Sequence, residues 1–98
     1  MAEARSIMNE TPARKVTIAN QRGLHARAAA KFVKLAETFE AEVTVFKNDV
    51  EVPGGSIMGL MMLAAAPGSE IEIRSEGPDA SAALIALVRL VEDKFHEE

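Results

Sequence analysis

Gly23-Leu24-His25-Ala26-Arg27 sets a histidine and an arginine where a turn gives way to an alanine-rich run, and this pair is the best suited to chemistry in the 98-residue chain. An unprotonated imidazole nitrogen is a nucleophile, and a guanidinium two residues on offers paired N–H donors to the oxygens of a phosphoryl group. Ala26, Ala29, Ala30, Val33 and Ala36 recur at helical spacing. A helix is therefore expected to start at or just after His25, with Gly23 supplying the turn before it. The ring then sits at the helix's positive end, where unpaired backbone N–H groups and the macrodipole favour an anion and disfavour a second proton on the imidazole. The same residues fit a plainer reading, a turn or cap histidine with its ring in water followed by a solvated helix arginine.

Two further groups stand out. Ser56 precedes the apolar run Ile57-Met58-Gly59-Leu60-Met61 and is placed to cap a short helix through Leu63. Ile57, Met58, Leu60 and Met61 are more apolar side chains than one short helix buries, so part of them is expected to form a docking patch beside His25, with Met58 and Met61 as the exposed pair. Ordinary core packing is the competing account. Arg27, Lys31, Lys34 and Thr38 fall along one helix face, and the three cations could steer acidic partner surfaces or simply be solvated.

The elements that must position these residues follow from periodicity. Val16 and Ile18 alternate with polar residues from Lys15 onward, the period of a half-buried strand, and Asn20-Gln21-Arg22-Gly23 breaks it. The helix is expected to run to about Phe39. Glu42 to Val45 and Val50 to Val52 alternate on either side of Lys47-Asn48-Asp49, a hairpin signature. Pro53-Gly54-Gly55 ends the hairpin, and Pro67-Gly68 closes the Ser56 helix. Ser69 to Arg74 alternates again, with Ile71 and Ile73 on one side. Gly77-Pro78-Asp79 opens a last helix whose buried side is Leu84, Leu87, Val88, Val91 and Phe95, with Lys94 near its end. The order is βαββαβα, an α+β fold: a two-layer sandwich with one sheet face wet and the other covered by helices. Residues 1–11 are expected to be a flexible tail and 12–98 the one domain.

Composition narrows the function classes. A net charge of −4, with four Phe and neither Trp nor Tyr, argues against a nucleic-acid binder, which needs clustered cations and stacking rings. The absence of cysteine removes disulfides, thiol catalysis and thiolate metal sites, and suits an intracellular protein. His25 and His96 are too far apart and too poorly partnered for a metal centre, and His96, in the polar run His96-Glu97-Glu98, is read as solvated. No cofactor is called for. With no secretory signal or membrane span legible, the expected location is the cytoplasm and the expected state a monomer.

The string Arg22-Gly23-Leu24-His25-Ala26-Arg27-Ala28-Ala29-Ala30-Lys31-Phe32-Val33 resembles the active-site region of the HPr family, the histidine-containing phosphocarriers of the bacterial phosphotransferase system. Gly55-Ser56-Ile57-Met58-Gly59-Leu60-Met61 resembles the same family's regulatory-serine segment, and the two occur in family order. The resemblance spans roughly Lys15 to Phe95. It implies four antiparallel strands with three helices on one face. It also implies a covalent carrier and not an enzyme with its own turnover: His25 accepts a phosphoryl group on Nδ1 from phosphorylated enzyme I, itself charged by phosphoenolpyruvate, and passes it to a IIA protein or domain. Arg27 is the assisting arginine by this likeness, and Ser56 the residue an HPr kinase modifies in bacteria that have one. Ala28 departs from the proline common after the arginine in many members, which leaves the first helical turn intact. Two alternatives compete. A small acylphosphatase would need an arginine-bearing phosphate loop near the N-terminus, which is not legible; a regulatory binding module would use the Met-rich patch and leave His25 unphosphorylated.

Overall fold

The computed structural model describes residues 12–97, so the expected tail at 1–11 lies outside the described residues. Their order is β1 (Ala13–Thr17), α1 (Ala26–Ala36), β2 (Glu42–Lys47), β3 (Val50–Pro53), α2 (Ile57–Met62), β4 (Glu70–Glu76), α3 (Ala80–Glu92) and a 3-10 turn at Lys94–His96. The strands form one sheet in the order β1-β4-β2-β3, and each neighbouring pair is antiparallel.

Alternation converts directly into two faces. The register sets Val16 opposite Ile71, and Val45 between Ile73 and Val52, so these side chains make one continuous apolar surface and all are buried. Their neighbours along the strands, including Lys15, Glu72, Arg74 and Phe46, fall on the other face. There the Arg74 guanidinium lies 4.4 Å from the centre of the Phe46 ring while its Nε donates to Glu72 at 3.0 Å. Three helices cover the apolar face. Ala28, Ala29, Phe32, Val33 and Ala36 are the buried side of α1, Leu60 anchors α2, and Leu84, Leu87, Val88 and Val91 are the inner side of α3. The alanines let α1 sit close to its neighbours while Phe32 fills the space between them.

Several boundaries move from the sequence-based expectation. Helix α1 stops at Ala36, short of Phe39, because the chain tightens there: the N–H groups of Thr38 and Phe39 donate to Leu35 and Ala36 three residues back, and Thr38 Oγ1 donates to the Leu35 carbonyl at 2.7 Å. Strand β1 starts at Ala13, ahead of the legible alternation, because Ala13 and Arg14 pair with Arg74 and Ile73. Asp79 stands at the start of α3 as expected, in the N-cap position, but its side chain makes no cap bond there. Its carboxylate accepts from the Glu40 N–H at 2.7 Å, tying the loop before β2 to the last helix. Phe95 is buried as expected but lies beyond α3, in the 3-10 turn. No helix among the described residues is long and apolar enough to cross a membrane.

Candidate functional site

The turn before α1 is held by close backbone contact. Gly23 adopts φ +67°, and a Cβ there would fall 2.6 Å from the Ala65 carbonyl oxygen, so the position needs glycine both for its dihedral and for the space. Leu24 N–H donates to that same oxygen at 2.9 Å, fastening the start of α1 to the loop that follows α2. His25 is the N-cap residue, extended at φ −81° and ψ 179°, and its carbonyl accepts the first helical bond from Ala29 N–H at 2.8 Å. Its ring does not cap the helix. The N–H groups of Ala26, Arg27 and Ala28 therefore have no intrahelical acceptor and present partial positive charge where the imidazole sits.

The ring turns to the far end of the chain. His25 Nε2 is paired with the Oε2 of Glu97, and each side chain is only 19 % exposed. Asn20 completes the arrangement: fully buried, it donates through Nδ2 to the Gly23 carbonyl at 2.7 Å and to Glu97 Oε1 at 3.2 Å. The hydrogen bond from His25 holds the Glu97 carboxyl below its ordinary pKa of 4.5; desolvation opposes this, and the Asn20 donor and the charges of His25 and Arg22 assist it. A carboxylate accepts and cannot donate, so the Nε2 facing it carries a proton. A cleft of about 360 Å³ lined by Ala19, Asn20, Gln21, Lys94 and Glu97 opens on the Glu97 side of the pair.

Glu97 reaches His25 because the chain reverses after α3. Lys94, Phe95 and His96 have φ of 58°, 55° and 61°, three successive residues in the left-handed region with no glycine among them. Phe95 is fully buried, and Lys31 Nζ donates to its carbonyl at 2.7 Å.

The other expected site residues sort as follows. Arg27 is exposed two positions after His25 and makes no hydrogen bond or ion pair among the described residues, so its guanidinium is available to an anion. Lys34 is exposed as well, whereas Lys31 is half-buried and engaged with Phe95. Ser56 caps α2, its Oγ accepting from Gly59 N–H at 2.9 Å, and α2 packs against α1. In α2, Met58 is 71 % exposed, while Ile57 and Met61 are each 41 % exposed. The second strongly exposed methionine is Met62, at 74 %, and not Met61. With Leu60 pointing inward and successive residues about 100° apart, Met58 and Met62 both fall nearly opposite it and Met61 falls on the flank. Glu97, Asn20 and Met62 escape the sequence reading. The i, i+4 spacing of Met58 and Met62 was the one available signal, and neither Asn20 nor Glu97 has a local pattern pointing to His25.

Residues 12–93 match a family model described as the PTS HPr component phosphorylation site. The chain belongs to the HPr family. It is 51 % identical over 82 residues to the phosphocarrier protein HPr of Neisseria meningitidis serogroup A, an alignment covering 84 % of this chain and 92 % of that one. It is 45 % identical over 84 residues to the phosphocarrier protein NPr of Shewanella violacea, covering 86 % and 92 %. Among solved structures, HPr from Thermoanaerobacter tengcongensis superposes with a TM-score of 0.85 at 41 % identity, covering 89 % of this chain and 98 % of that one. The four-stranded antiparallel sheet with three helices is thus the HPr fold, and the family is one of phosphocarriers of the phosphotransferase system.

Proposed function

We propose that this chain carries a phosphoryl group on Nδ1 of His25, taking it from phosphorylated enzyme I, which phosphoenolpyruvate charges, and handing it to a IIA protein or domain of a sugar-uptake or regulatory phosphotransferase system. The observation that carries this reading is the uncapped start of α1, with the His25 ring held through Nε2 by Glu97 and Arg27 exposed in the first turn. In the transfer, Nδ1 attacks phosphorus, the bond from phosphorus to the donor nitrogen breaks, and the electron pair leaves on the donor. The N–H groups of Ala26, Arg27 and Ala28 and the Arg27 side chain meet the charge on the transferring oxygens. Because the site is open and Arg27 is exposed, the phosphoryl group is held weakly enough to move on, as a carrier requires.

Met58 and Met62, flanked by Ile57 and Met61, supply an adaptable apolar docking surface on the helix packed beside α1. Lys34, with Lys31 partly committed to the Phe95 carbonyl, adds electrostatic steering toward acidic partners. Phosphorylation of Ser56 by an HPr kinase would place about −1.5 to −2 charges at the start of α2, within this surface, and slow transfer by repelling an acidic partner.

Incubation with phosphoenolpyruvate and enzyme I, followed by intact-mass measurement and acid treatment, tests the carrier. The expected product is one acid-labile phosphoryl group on His25, absent from His25→Ala. A chain that stays unmodified would overturn the carrier reading and leave the regulatory binding module.

A further inference from the structure

We infer that Met58 and Met62 form a paired oxidation site, and that their conversion to methionine sulfoxide weakens docking of the phosphoryl donor. This rests on the carrier reading, with α2 as its docking surface, and adds a chemical means of regulating that surface. Methionine is among the residues most often buried, yet Met58 and Met62 are 71 % and 74 % exposed, and no other large apolar side chain among the described residues exceeds 50 %. They stand at i and i+4 in α2, which puts both thioethers on one face with Cβ atoms about 5–6 Å apart. The chain has no cysteine, so an oxidant meets no competing thiol.

The oxidant is a peroxide. The sulfur lone pair bonds one oxygen of hydrogen peroxide, the O–O bond breaks, and the proton on the transferred oxygen passes to the departing hydroxide. Sulfur gives up two electrons, and the products are a sulfoxide and water. The six residues of α2 have no polar side chain, so the sulfoxides are the first polar groups on a surface whose use is apolar. A partner that covers them must strip water from each S=O group. The fold tolerates the change, because α2 is anchored by buried Leu60 and by the bond from Gly59 N–H to Ser56 Oγ, and the two methionines project nearly opposite Leu60. Met61, on the flank and less exposed, is the slower of the three to react.

Brief treatment with hydrogen peroxide, followed by peptide mass mapping, is expected to oxidise Met58 and Met62 ahead of Met61. Acceptance from phosphorylated enzyme I should then show a KM raised about tenfold with kcat little changed, the scale set by losing part of the burial of a methionine side chain. A methionine sulfoxide reductase should restore it. Phosphoramidate phosphorylates imidazoles without a docking surface, and should modify His25 equally fast before and after oxidation. Met58→Gln/Met62→Gln should raise KM without peroxide, whereas Met58→Leu/Met62→Leu, which keeps bulk and apolarity, should transfer normally and ignore peroxide. A peroxide-induced loss that persists in the leucine variant would place the effect on another methionine and overturn the inference. An unchanged KM in the oxidised wild type or in the glutamine variant would overturn it too, as would a slowed reaction with phosphoramidate. Refusal of the untreated chain by enzyme I would overturn the carrier reading and this inference together, whereas a competent carrier indifferent to peroxide would overturn this inference alone.

Discussion

The starts of α1 and α2 are built from the same backbone geometry and finished in opposite ways. At α2, Ser56 turns its hydroxyl inward and satisfies Gly59 N–H, while Gly59 lies so close that an added Cβ would be 3.1 Å from that oxygen. At α1, His25 occupies the same cap position but sends its ring to Glu97, and the first three N–H groups are left for something else. A cap is a stability device, whereas an empty cap with a nucleophile beside it is a binding device. The two helices pack together, so the open start and the satisfied one belong to neighbouring elements.

The sharpest way to break the contrast is at the reactive end. His25→Ala is expected to abolish phosphoryl acceptance from phosphorylated enzyme I altogether, while circular dichroism and the melting transition stay close to wild type, because the ring is partly exposed and lies outside the apolar core. Retained phosphorylation would mean that the nucleophile lies elsewhere.

Arg27 comes next. Removal of a buried oxyanion donor commonly costs 10²–10³-fold in rate, and Arg27 is exposed, so Arg27→Ala should slow acceptance by about tenfold in kcat/KM. Arg27→Lys should recover only part of this, since an ammonium cannot present the paired donors of a guanidinium. Stopped-flow or quenched transfer assays would check both, and equal rates for all three chains would remove Arg27 from the site.

How much of this was legible follows from range. Every strand and helix was readable because its signal is local: Val43 and Val45 alternate within β2, and Phe32, Val33 and Ala36 share one side of α1. The positions of His25 and Arg27 at a helix start and of Ser56 as a cap were readable because turn, cap and helix start are also local grammar, whereas the roles proposed for them came from the family resemblance. Glu97 was not, because its contact with His25 spans 72 positions and depends on three left-handed residues whose types advertise nothing of the kind. The apparent polar tail is a tether, although His96 within it is exposed as expected. Met62 was missed for a smaller reason: in a helix of six residues, a one-residue uncertainty in which side faces inward exchanges Met61 for Met62.

At the satisfied end, Ser56→Ala removes the acceptor for Gly59 N–H and should cost about 1 kcal/mol, or about 4–8 °C in melting temperature for a domain of this size. Phosphoryl acceptance at His25 should be nearly unchanged, which thermal melts and transfer assays on the same sample would establish together. A variant that melts normally but transfers slowly would show that the two helix starts are coupled and not separate devices.

The smallest expected effect is the pH dependence of the tether. Because the folded state holds the Glu97 carboxyl below its ordinary value of 4.5, chiefly through the hydrogen bond from His25, the folded chain binds a proton there less readily than the unfolded one. The sign follows: the contribution of Glu97 to stability is fully present above that ordinary value and is lost as pH falls from it through the lowered folded-state value. Wild type and Glu97→Gln should therefore differ most near neutrality and converge in acid. Paired denaturant titrations across this range measure the difference directly. If the gap between the two chains instead widened on acidification, the carboxylate would not be ionised against His25, and the contrast between a capped and an open helix start would lose the contact that keeps the open one in order.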